Sequence, residues 1–438
     1  MRIAALVHQF PPDFQTGTEI LCLRTMQALA GKGHEVRVFA ADPLQAAGRA
    51  VREDRVEGVA VTRIATRRPR RLGLASRLRD EFVCPEAQAQ LDAVMAPFRP
   101  DVIHVFHMRQ FGLRALPRLA RVAPLVVTAT DFHLACPVAI GAFEDGGPCP
   151  GPDADGGNCL VHAERIDAAR GRARPILAAR AALARLVPGL DSAAARARAA
   201  QARRTAAADG LRAATAILAG SARIRDMLVL AGADPVRVVV KGHGAPGLDV
   251  PPRAVGPVLT AGFFGTLAPH KGAHVFLDAL EALPVTLKLR AIVAGPAGPD
   301  AAYAKAIVAR AAANARVSLR PAVANAAFAA LLGEADIVVL PSLWDENRPL
   351  TLLAALESGR YVVASDMPGL AAEIAGGQGG EVFPPGDAAG LAAILARLAG
   401  ASGPVQAARK TPARSPDFDA YVDDIERLLG DAARRGAP

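Results

Sequence analysis

Two segments combine charged residues with positions where strands are expected to end. "SLWDENRPLTLLAALESG" (342–359) places Asp345 and Glu346 directly after an apolar run of strand type. "GTLAPHKG" (265–272) places Lys271 after another such run and just before a helix. In open parallel sheets, ligands bind beyond the carboxyl ends of the strands. Carboxylates at this position can hold sugar or ribose hydroxyls, and a lysine ammonium is a point charge suited to a diphosphate. A solvated lysine near a turn is the alternative.

Two glycines occupy similar turns. Gly17 follows the first expected strand in "HQFPPDFQTGTE" (8–19) and precedes a helix start, and Gly265 follows the first expected strand of the second half. A glycine lets the backbone approach a ligand closely, and a helix start offers N–H groups to an anion. For Gly17, a plain strand-to-helix turn is the alternative.

Three cysteines and a histidine cluster in the segment 130–162. They are Cys136, Cys149, Cys159 and His162, and the last two have the spacing of a zinc knuckle arm. The stretch between them is rich in Gly, Pro and Asp and has almost no core residues of its own, so it needs a staple. A structural Cys₃His zinc site, a disulfide and three unliganded thiols remain open as alternatives.

Alternating strand and helix patterns predict the elements that position these residues. Helices are predicted at 17–33, 272–282 and 301–314. Strands are predicted at 2–8, 35–41, 101–107, 124–131, 215–221, 236–242, 258–267, 287–295, 315–321, 335–342 and 361–366. This alternation predicts an α/β fold with two Rossmann-like, doubly wound parallel-sheet domains.

The domain organisation follows from composition along the chain. A Gly- and Pro-rich stretch near 245–257 predicts a boundary between a first domain at 1–250 and a second at 251–412. The first domain is expected to carry the Cys-rich loop 131–162 and an Ala/Arg-rich helical insert at 163–214. Residues 413–438 are expected to form an amphipathic helix, with an apolar stripe at Phe418, Tyr421, Val422, Ile425, Leu428 and Leu429.

Composition excludes several classes of protein. The 438 residues are 51% hydrophobic and 21% charged, which indicates a globular protein. No signal-peptide core precedes Pro11 and Pro12, and no apolar run approaches the roughly 18–20 residues of a membrane span, so a cytosolic protein is expected. Five cysteines, an odd number, argue against a secreted disulfide framework.

The net charge of +9 is carried mainly by arginine and suits an anionic partner, unless it reflects genome composition. The insert 163–214 is either a basic face that docks on anionic membrane or a solvated helical hairpin. Its lack of Trp and Phe favours the hairpin. Nucleic-acid binding is disfavoured, because aromatic and basic residues do not interleave.

Four segments together carry a family resemblance. "FPPDFQTGTE", "FFGTLAPHKG", "PSLWDENRPLTLLAAL" and "GRYVVASDMPGLAAE" resemble the retaining nucleotide-sugar glycosyltransferases of family 4, which have the two-Rossmann GT-B fold. The resemblance covers residues 1 to about 400. It implies two domains that face a central cleft, the first binding an acceptor and the second a nucleotide diphosphate sugar. It also implies transfer of the sugar with retention and without a catalytic metal or other cofactor.

The resemblance assigns roles to individual residues. Lys271 would receive the leaving β-phosphate, whose oxygen takes the acceptor proton, and Glu346 would lie near the transferred sugar. Asp131, directly after a strand, is a candidate to contact the sugar or the acceptor. Other donor-binding candidates are Gly17, Gly265, Thr266, Asn347, Pro349 and Leu350. One of the strand-end histidines reaches the acceptor, or all are structural; these are His8, His104 and His107.

The sequence departs from the family pattern at three positions. Ala354 stands eight residues after Glu346, where the family has the carboxylate that holds the ribose, and Glu357 is a poor geometric substitute. Thr266 stands where the family often has Arg, and Thr16 replaces the first Gly of a usual pair. Losing the ribose carboxylate removes charge-assisted hydrogen bonds of roughly 1.5–3 kcal/mol each, which weakens donor binding without abolishing transfer.

Three functions therefore remain in view. The first is an active glycosyltransferase that serves a glycan or lipid-linked acceptor in polysaccharide or cell-envelope glycan synthesis, at the inner face of the membrane if the acceptor is a lipid. The second is a catalytically weakened binding or partner subunit of the same fold. The third, a nucleotide-sugar 2-epimerase, calls for further carboxylates and histidines that the sequence does not reveal.

Overall fold

Two compact units, each built on one mainly parallel sheet, make up the protein. The computed structural model describes residues 1–44, 50–66, 73–141, 143, 149–153, 156–173, 191–244, 247–298, 300–323, 325–374, 379–412 and 418–436. The first domain comprises the described residues within 1–141, 150–242 and 419–438, and the second comprises those within 142–149 and 243–418. The stretch 245–257, where the sequence predicts a linker, begins just after the first domain's second stretch ends.

The first domain has an eight-stranded sheet. Its strands are β1 (Arg2–Val7), β2 (Glu35–Asp42), β3 (Val51–Val56), β4 (Val59–Ala65), β5 (Val102–Val105), β6 (Leu125–Ala129), β7 (Ala216–Ala219) and β8 (Val238–Val240). They lie in the order β3-β4-β2-β1-β5-β6-β7-β8, and only β3 pairs antiparallel. Its helices are α1 (Gly17–Gly31), α2 (Leu74–Asp80), α3 (Pro85–Phe98), α4 (Leu116–Leu119), α5 (Gly157–Ala173), α6 (Ala193–Ala213) and α7 (Ala222–Leu230).

The second domain has a six-stranded sheet that is parallel throughout its described strands. These are β9 (Leu259–Phe264), β10 (Leu289–Ala294), β11 (Val317–Arg320), β12 (Ile337–Leu340), β13 (Tyr361–Ser365) and β14 (Gly380–Phe383), in the order β11-β10-β9-β12-β13-β14. Its helices are α8 (Ala273–Ala282), α9 (Ala301–Ala313), α10 (Asn325–Gly333), α11 (Leu350–Glu357), α12 (Pro368–Ile374), α13 (Ala388–Gly400) and α14 (Gly403–Lys410).

Apolar strands covered on both faces explain both sheets. All five residues from Ile3 to Val7 in β1 are fully buried. The four residues of β12 are at most 8% exposed. Strands buried on both faces read as continuous apolar runs, which is typical of parallel sheets between helices. The expected fold class of two Rossmann-like α/β domains is thereby confirmed.

The C-terminal helix α15 (Phe418–Gly436) packs on the first domain through its apolar stripe. Tyr421, Val422, Ile425 and Leu429 are at most 1% exposed. Its polar side is fixed by ion pairs: Lys32 lies 2.6 Å from Asp423, His34 lies 2.8 Å from Glu426, and Lys241 pairs with Asp424.

Each sheet reverses its direction of winding at one place. In the first domain, β1 has β2 on one side and β5 on the other; in the second domain, β9 has β10 on one side and β12 on the other. The carboxyl ends of β1 and β5, and of β9 and β12, are therefore the topological switch points at which open α/β sheets bind ligands.

No single helix among the described residues is both long enough and apolar enough to span a membrane. Helices α13 and α14 reach that length and apolarity only together, as a pair bent by 79°.

Candidate active site

Histidines and a carboxylate meet at the switch point of the first domain. His8 follows β1, His107 follows β5, and Asp131 follows β6. The Nε2 atom of His107 lies 3.1 Å from Oδ2 of Asp131, and the rings of His8 and His107 are 4.0 Å apart. His133 stacks on the other face of His107 at 4.6 Å. The predicted strand-end residues His8, His107 and Asp131 therefore form one cluster, to which the structure adds His133.

Backbone contacts fix the tautomer of the central histidine. The Arg109 backbone N–H donates to Nδ1 of His107 over 3.1 Å, so Nδ1 carries a lone pair. Nε2 is then the ring nitrogen that donates its proton to Asp131. The other Asp131 oxygen accepts the His133 backbone N–H at 2.8 Å. His107 thus orients Asp131 and has no ring nitrogen left to act as a base.

Within the cluster, Asp131 is ionised and the imidazoles of His8 and His133 are neutral. Burial alone would raise the pKa of Asp131, but the hydrogen bond from His107, the Arg109 guanidinium and the His133 backbone N–H together hold it well below its usual range. Burial lowers the pKa of His8 and of His133 far below the ordinary value, and the Arg109 guanidinium lowers both further. Asp131 can therefore accept a hydrogen bond at neutral pH, and the two imidazoles can both donate and accept.

Two imidazoles of the cluster have hydrogen-bonding atoms to spare. Within the described part of the chain, both ring nitrogens of His133 and Nδ1 of His8 are buried without a hydrogen-bond partner. Buried polar atoms are normally paired, by protein, water or ligand. His104 takes the structural alternative: it lies inside β5, fully buried, with Nε2 2.8 Å from the Thr128 hydroxyl. Burial lowers its pKa to about 3, so it is a structural core residue.

A helix start lies beside this cluster. Helix α1 begins at Gly17, and the Glu19 carboxyl accepts hydrogen bonds from both the backbone N–H and the hydroxyl of Thr16. Glu19 also lies 3.4 Å from Nε2 of His8, and burial raises its pKa. A side chain added at Gly17 would meet no atom within 4 Å, so the protein's own packing does not require glycine there.

A buried arginine holds the loop that carries Asp131. Arg203 of α6 is 3% exposed, pairs with Glu81, and donates to the carbonyl oxygens of His133 and Cys136. Sequence reasoning missed Arg203, because it lies in an Ala/Arg-rich stretch where nothing marks one arginine as different.

The predicted zinc ligands do not form a metal site in the part of the chain that the structure describes. Among these residues, no group of three or more His, Cys, Asp or Glu side chains has the arrangement needed to hold a metal ion. Cys136, Cys149 and His162 are buried, Cys159 is half-buried, and none of the cysteines forms a disulfide. Residues 142, 144–148 and 154–155 of this loop, and 174–190 of the helical insert, lie outside the described residues.

The switch point of the second domain brings the predicted lysine and glutamate together. Lys271 ends a short 3₁₀ turn after β9, and Glu346 lies in the loop after β12. The Nζ atom of Lys271 is 2.6 Å from Oε1 of Glu346, and the same oxygen accepts the Ser342 hydroxyl at 2.8 Å. The Lys271 ammonium also lies 4.8 Å from the ring centre of Trp344. Strand-end placement, predicted from sequence, is thus accompanied by direct contact.

A glycine directly after Lys271 lets the backbone pass close to Pro341. Gly272 has φ +72°, and a Cβ there would lie 1.7 Å from the Pro341 carbonyl oxygen. Only glycine fits both the left-handed backbone and the contact. Gly272 is also the N-cap of α8 and provides no side-chain cap, so the first N–H groups of this ten-residue helix start beside Lys271.

The two adjacent carboxylates do different things. Asp345 is 1% exposed, and its Oδ1 accepts the Gly369 backbone N–H at 3.0 Å, at the start of α12. Glu346 is paired with Lys271. Burial alone would raise the pKa of Glu346, but the Lys271 ammonium and the hydrogen bonds from Lys271 and Ser342 lower it. Glu346 is therefore ionised at neutral pH.

Several contacts fix the loop between Glu346 and α11. Arg348 has φ +48°, pairs with Glu373 at 3.1 Å, and receives a 2.7 Å hydrogen bond on its carbonyl from Nε2 of His243. Pro349 is the N-cap of α11, so the helix starts at Leu350. Asn347, Pro349 and Leu350 are each half-buried.

The position of the missing family carboxylate is inside the fold. Ala354 lies on α11 and is 1% exposed, and Glu357 lies near the end of the same helix and is half-buried. Thr266 and Gly265, which follow β9, are also half-buried. A Cβ at Gly265 would make an ordinary 3.5 Å contact with the Phe263 ring, so packing does not require glycine there either.

A cavity of about 560 Å³ adjoins the carboxyl ends of β10 and β11. Its volume is that of a typical small-molecule pocket. Its lining includes Leu267, Gly295, Ala297, Lys305, Arg320 and Pro321.

Comparison with known families identifies both domains. A model described as "Glycosyltransferase Family 4" matches residues 16–132, and one described as "Glycosyl transferases group 1" matches residues 259–400. The chain belongs to the family-4 glycosyltransferases. The two matches include the predicted site residues of this glycosyltransferase in both halves, from Gly17 to Asp131 and from Gly265 to Leu350.

Solved structures similar to this glycosyltransferase have the GT-B fold. HepE of Anabaena in complex with UDP-glucose matches with a TM-score of 0.65 and 16% identity, over 98% of this chain and 100% of its own. Sucrose-phosphate synthase from Thermosynechococcus elongatus matches with 0.65 and 15%, over 99% and 96%. An α,α-trehalose-phosphate synthase from Burkholderia xenovorans in complex with glucose-6-phosphate matches with 0.63 and 13%, over 98% and 100%. Identities this low show the fold alone. No curated protein matches the chain at a significant level of sequence similarity.

Proposed function

We propose that this family-4 glycosyltransferase moves a sugar from a nucleotide diphosphate sugar to a glycan or lipid-linked acceptor, with retention at the anomeric carbon. The observation that supports it best is the meeting of Lys271 and Glu346, 2.6 Å apart, at the switch point of the second sheet. One supplies a cation for phosphates and the other an ionised acceptor for sugar hydroxyls. HepE was solved with UDP-glucose, which supports a nucleotide-sugar donor.

Each part of the donor has a matching part of the second domain. The diphosphate binds at Lys271 and the start of α8, whose N-cap Gly272 has no side chain, and where a lysine ammonium and the helix dipole both favour an anion. The nucleoside enters the cavity beyond β10 and β11, and the sugar lies near Glu346. Asp345, engaged with Gly369, supports the loop rather than the sugar.

The reaction follows from this placement. The bond between the anomeric carbon and the phosphate oxygen breaks, and its electron pair goes to the nucleoside diphosphate, which Lys271 stabilises. The acceptor oxygen bonds to the anomeric carbon on the same face, and its proton passes to the departing phosphate oxygen. No metal is required, because the lysine and the helix start offset the developing charge.

The acceptor binds to the first domain at the histidine cluster. Asp131 is ionised and 25% exposed on its side chain, so it can accept a hydrogen bond from an acceptor hydroxyl. His8 and His133 have unpaired ring nitrogens within the described residues and can complete the hydrogen bonds of the same hydroxyls. This arrangement suits the hydroxyl groups of a sugar.

Replacement of Lys271 tests the donor site. Lys271→Met keeps the length of the side chain and removes its charge, so we expect binding of UDP, ADP or GDP to weaken at least tenfold, about 1.4 kcal/mol. Lys288→Met is the matched control, because Lys288 is exposed and lies at the amino end of β10, away from the carboxyl ends of the strands. Titration calorimetry at constant salt measures both. Unchanged affinity in Lys271→Met contradicts this placement of the phosphates.

A catalytically weakened binding or partner subunit is the second candidate. Ala354 favours it, because an apolar residue that is 1% exposed stands where the family resemblance expects the ribose carboxylate. If the protein is such a subunit, the same calorimetry should show little or no binding of any nucleoside diphosphate. The structural zinc, the membrane contact and the cytosolic location expected from the sequence stay predictions.

A further inference from the structure

The two residues proposed to bind different parts of the donor bind each other in this structure. Lys271 and Glu346 form a 2.6 Å ion pair, with side-chain exposures of 24% and 8%. Each group has one principal partner of opposite charge, and the pair is largely shielded from solvent. A largely buried ion pair is screened much less by salt than an exposed one, so a ligand must compete with it directly.

The two members of the pair are not held equally. The Ser342 hydroxyl donates to the same Glu346 oxygen at 2.8 Å, and Ser342 is itself 2% exposed, so the carboxylate keeps a fixed partner if Lys271 leaves. Among the residues that the structure describes, the tip of Lys271 is held by Glu346 and by the face of Trp344, 4.8 Å away. Its four-carbon stem has freely rotating bonds. The lysine is therefore the member that can move.

We propose that Glu346 restrains Lys271 until a diphosphate displaces it, so that binding of the donor phosphates transfers the lysine from the carboxylate to the ligand and makes Glu346 available to the sugar. This inference rests on the proposed function, because it takes the donor diphosphate to be the ligand of Lys271. In this arrangement the Glu346 carboxylate opposes binding of the nucleotide, although it contributes to turnover.

The restraint weakens the binding of every anion that takes Lys271. A ligand gains the lysine only if its attraction exceeds that of a carboxylate already at contact distance. The free energy needed to separate the ion pair is the same whichever anion then binds. Removing the carboxylate should therefore raise the affinity for all such anions by a similar factor.

Glu346→Gln tests the restraint, because it keeps the shape of the side chain and removes its charge. We expect the Kd values for inorganic pyrophosphate, for UDP and for inorganic phosphate each to fall about tenfold. Turnover with a nucleotide sugar should decrease in the same variant. Glu281→Gln is the control, because Glu281 forms a comparable 2.9 Å ion pair with Arg310 on the outside of the same domain. Its affinities should be those of the unmodified protein.

A double-variant cycle separates the restraint from a general change in charge. The gain from Glu346→Gln should disappear when Lys271→Met is already present, since no lysine remains to be released. Calorimetry at about 0.15 M salt keeps long-range effects of the net charge small. The fluorescence of Trp344, the only tryptophan in the chain, shows whether each variant is folded.

The outcomes distinguish the restraint from the proposed function. Unchanged or weaker pyrophosphate binding by folded Glu346→Gln overturns the restraint, while binding by the unmodified protein leaves the proposed function standing. An equal gain in the presence and absence of Lys271 also overturns the restraint, because the effect is then general charge. If neither the unmodified protein nor Glu346→Gln binds any diphosphate, both are overturned.

Discussion

Replacing Asp345 should separate loss of stability from loss of catalysis. Asp345 is 1% exposed, and its Oδ1 accepts the Gly369 backbone N–H at 3.0 Å. In Asp345→Ala this N–H, at the start of α12, loses its partner inside the second domain. We therefore expect a less stable second domain with a donor site that still works.

The size of the effect follows from this hydrogen bond. A hydrogen bond to a carboxylate contributes about 1.5–3 kcal/mol, and an unpaired buried N–H costs a similar amount, so we expect a loss of about 2 kcal/mol. For a domain of this size each kcal/mol shifts Tm by roughly 2–4 °C, which gives a decrease of about 4–8 °C. Asp345→Asn should lose less, because its amide oxygen can still accept.

Trp344 makes the measurement specific to the second domain. It is the only tryptophan in the chain and lies next to Asp345 in sequence, so its fluorescence reports thermal unfolding of this domain. Turnover measured below the transition completes the comparison with Glu346→Ala. Glu346→Ala should depress turnover far more than Asp345→Ala.

The same two measurements can contradict the roles given to Asp345 and Glu346. If Asp345→Ala removes as much turnover as Glu346→Ala and leaves Tm unchanged, then Asp345 faces the sugar and the hydrogen bond to Gly369 contributes little. Gly369→Ala is an independent check, because a Cβ there would lie 1.6 Å from the Glu346 carbonyl oxygen and must disturb the same contact.

Two further predictions concern the ribose and the Cys-rich loop. Ala354→Glu should restore a ribose-binding carboxylate and raise nucleotide affinity about tenfold or raise turnover, whereas Ala355→Glu, at an equally buried neighbouring position, should only lower Tm. Weaker binding and turnover in a folded Ala354→Glu protein would mean that the ribose is held some other way. If the four Cys and His residues share a zinc ion, protein purified without chelator should contain about one zinc per chain by elemental analysis. Zinc-free protein with an ordered loop would exclude that site.

The parallel strands could be predicted because their burial leaves a direct trace in the sequence. The runs predicted at 2–8 and 335–342 contain β1 and β12, whose residues are almost all apolar and buried. The hairpin of β3 and β4 was missed. Four consecutive residues of β3, 52–55, are charged, and they resemble a loop because this strand lies at the sheet edge and three of its six residues are exposed. The Glu57-Gly58 turn, with φ +45° and +87°, was the available signal for it.

The site could be predicted only where residue type and strand end coincide. Lys271, Glu346 and Asp131 lie at or shortly after the ends of apolar runs, so the switch-point rule identifies them. Their partners depend on the folded chain: Arg203 holds the loop of His133 from 70 residues away. His104 shows a further limit, since its position one residue before the end of β5 leaves both alternatives open, and only the folded chain shows that it is buried in the core.

Donor hydrolysis followed by proton NMR is the most direct test of whether this protein is a retaining nucleotide-sugar glycosyltransferase. In this assay water replaces the acceptor, so the chain is incubated with UDP-, ADP- and GDP-linked sugars without knowledge of its natural partner. We expect release of nucleoside diphosphate from at least one donor, and the sugar should first appear in the donor's own anomeric configuration. Lys271→Met should lose this release. A sugar that first appears with inverted configuration contradicts retention. Failure to bind or cleave any of these donors contradicts the assignment as a nucleotide-sugar transferase.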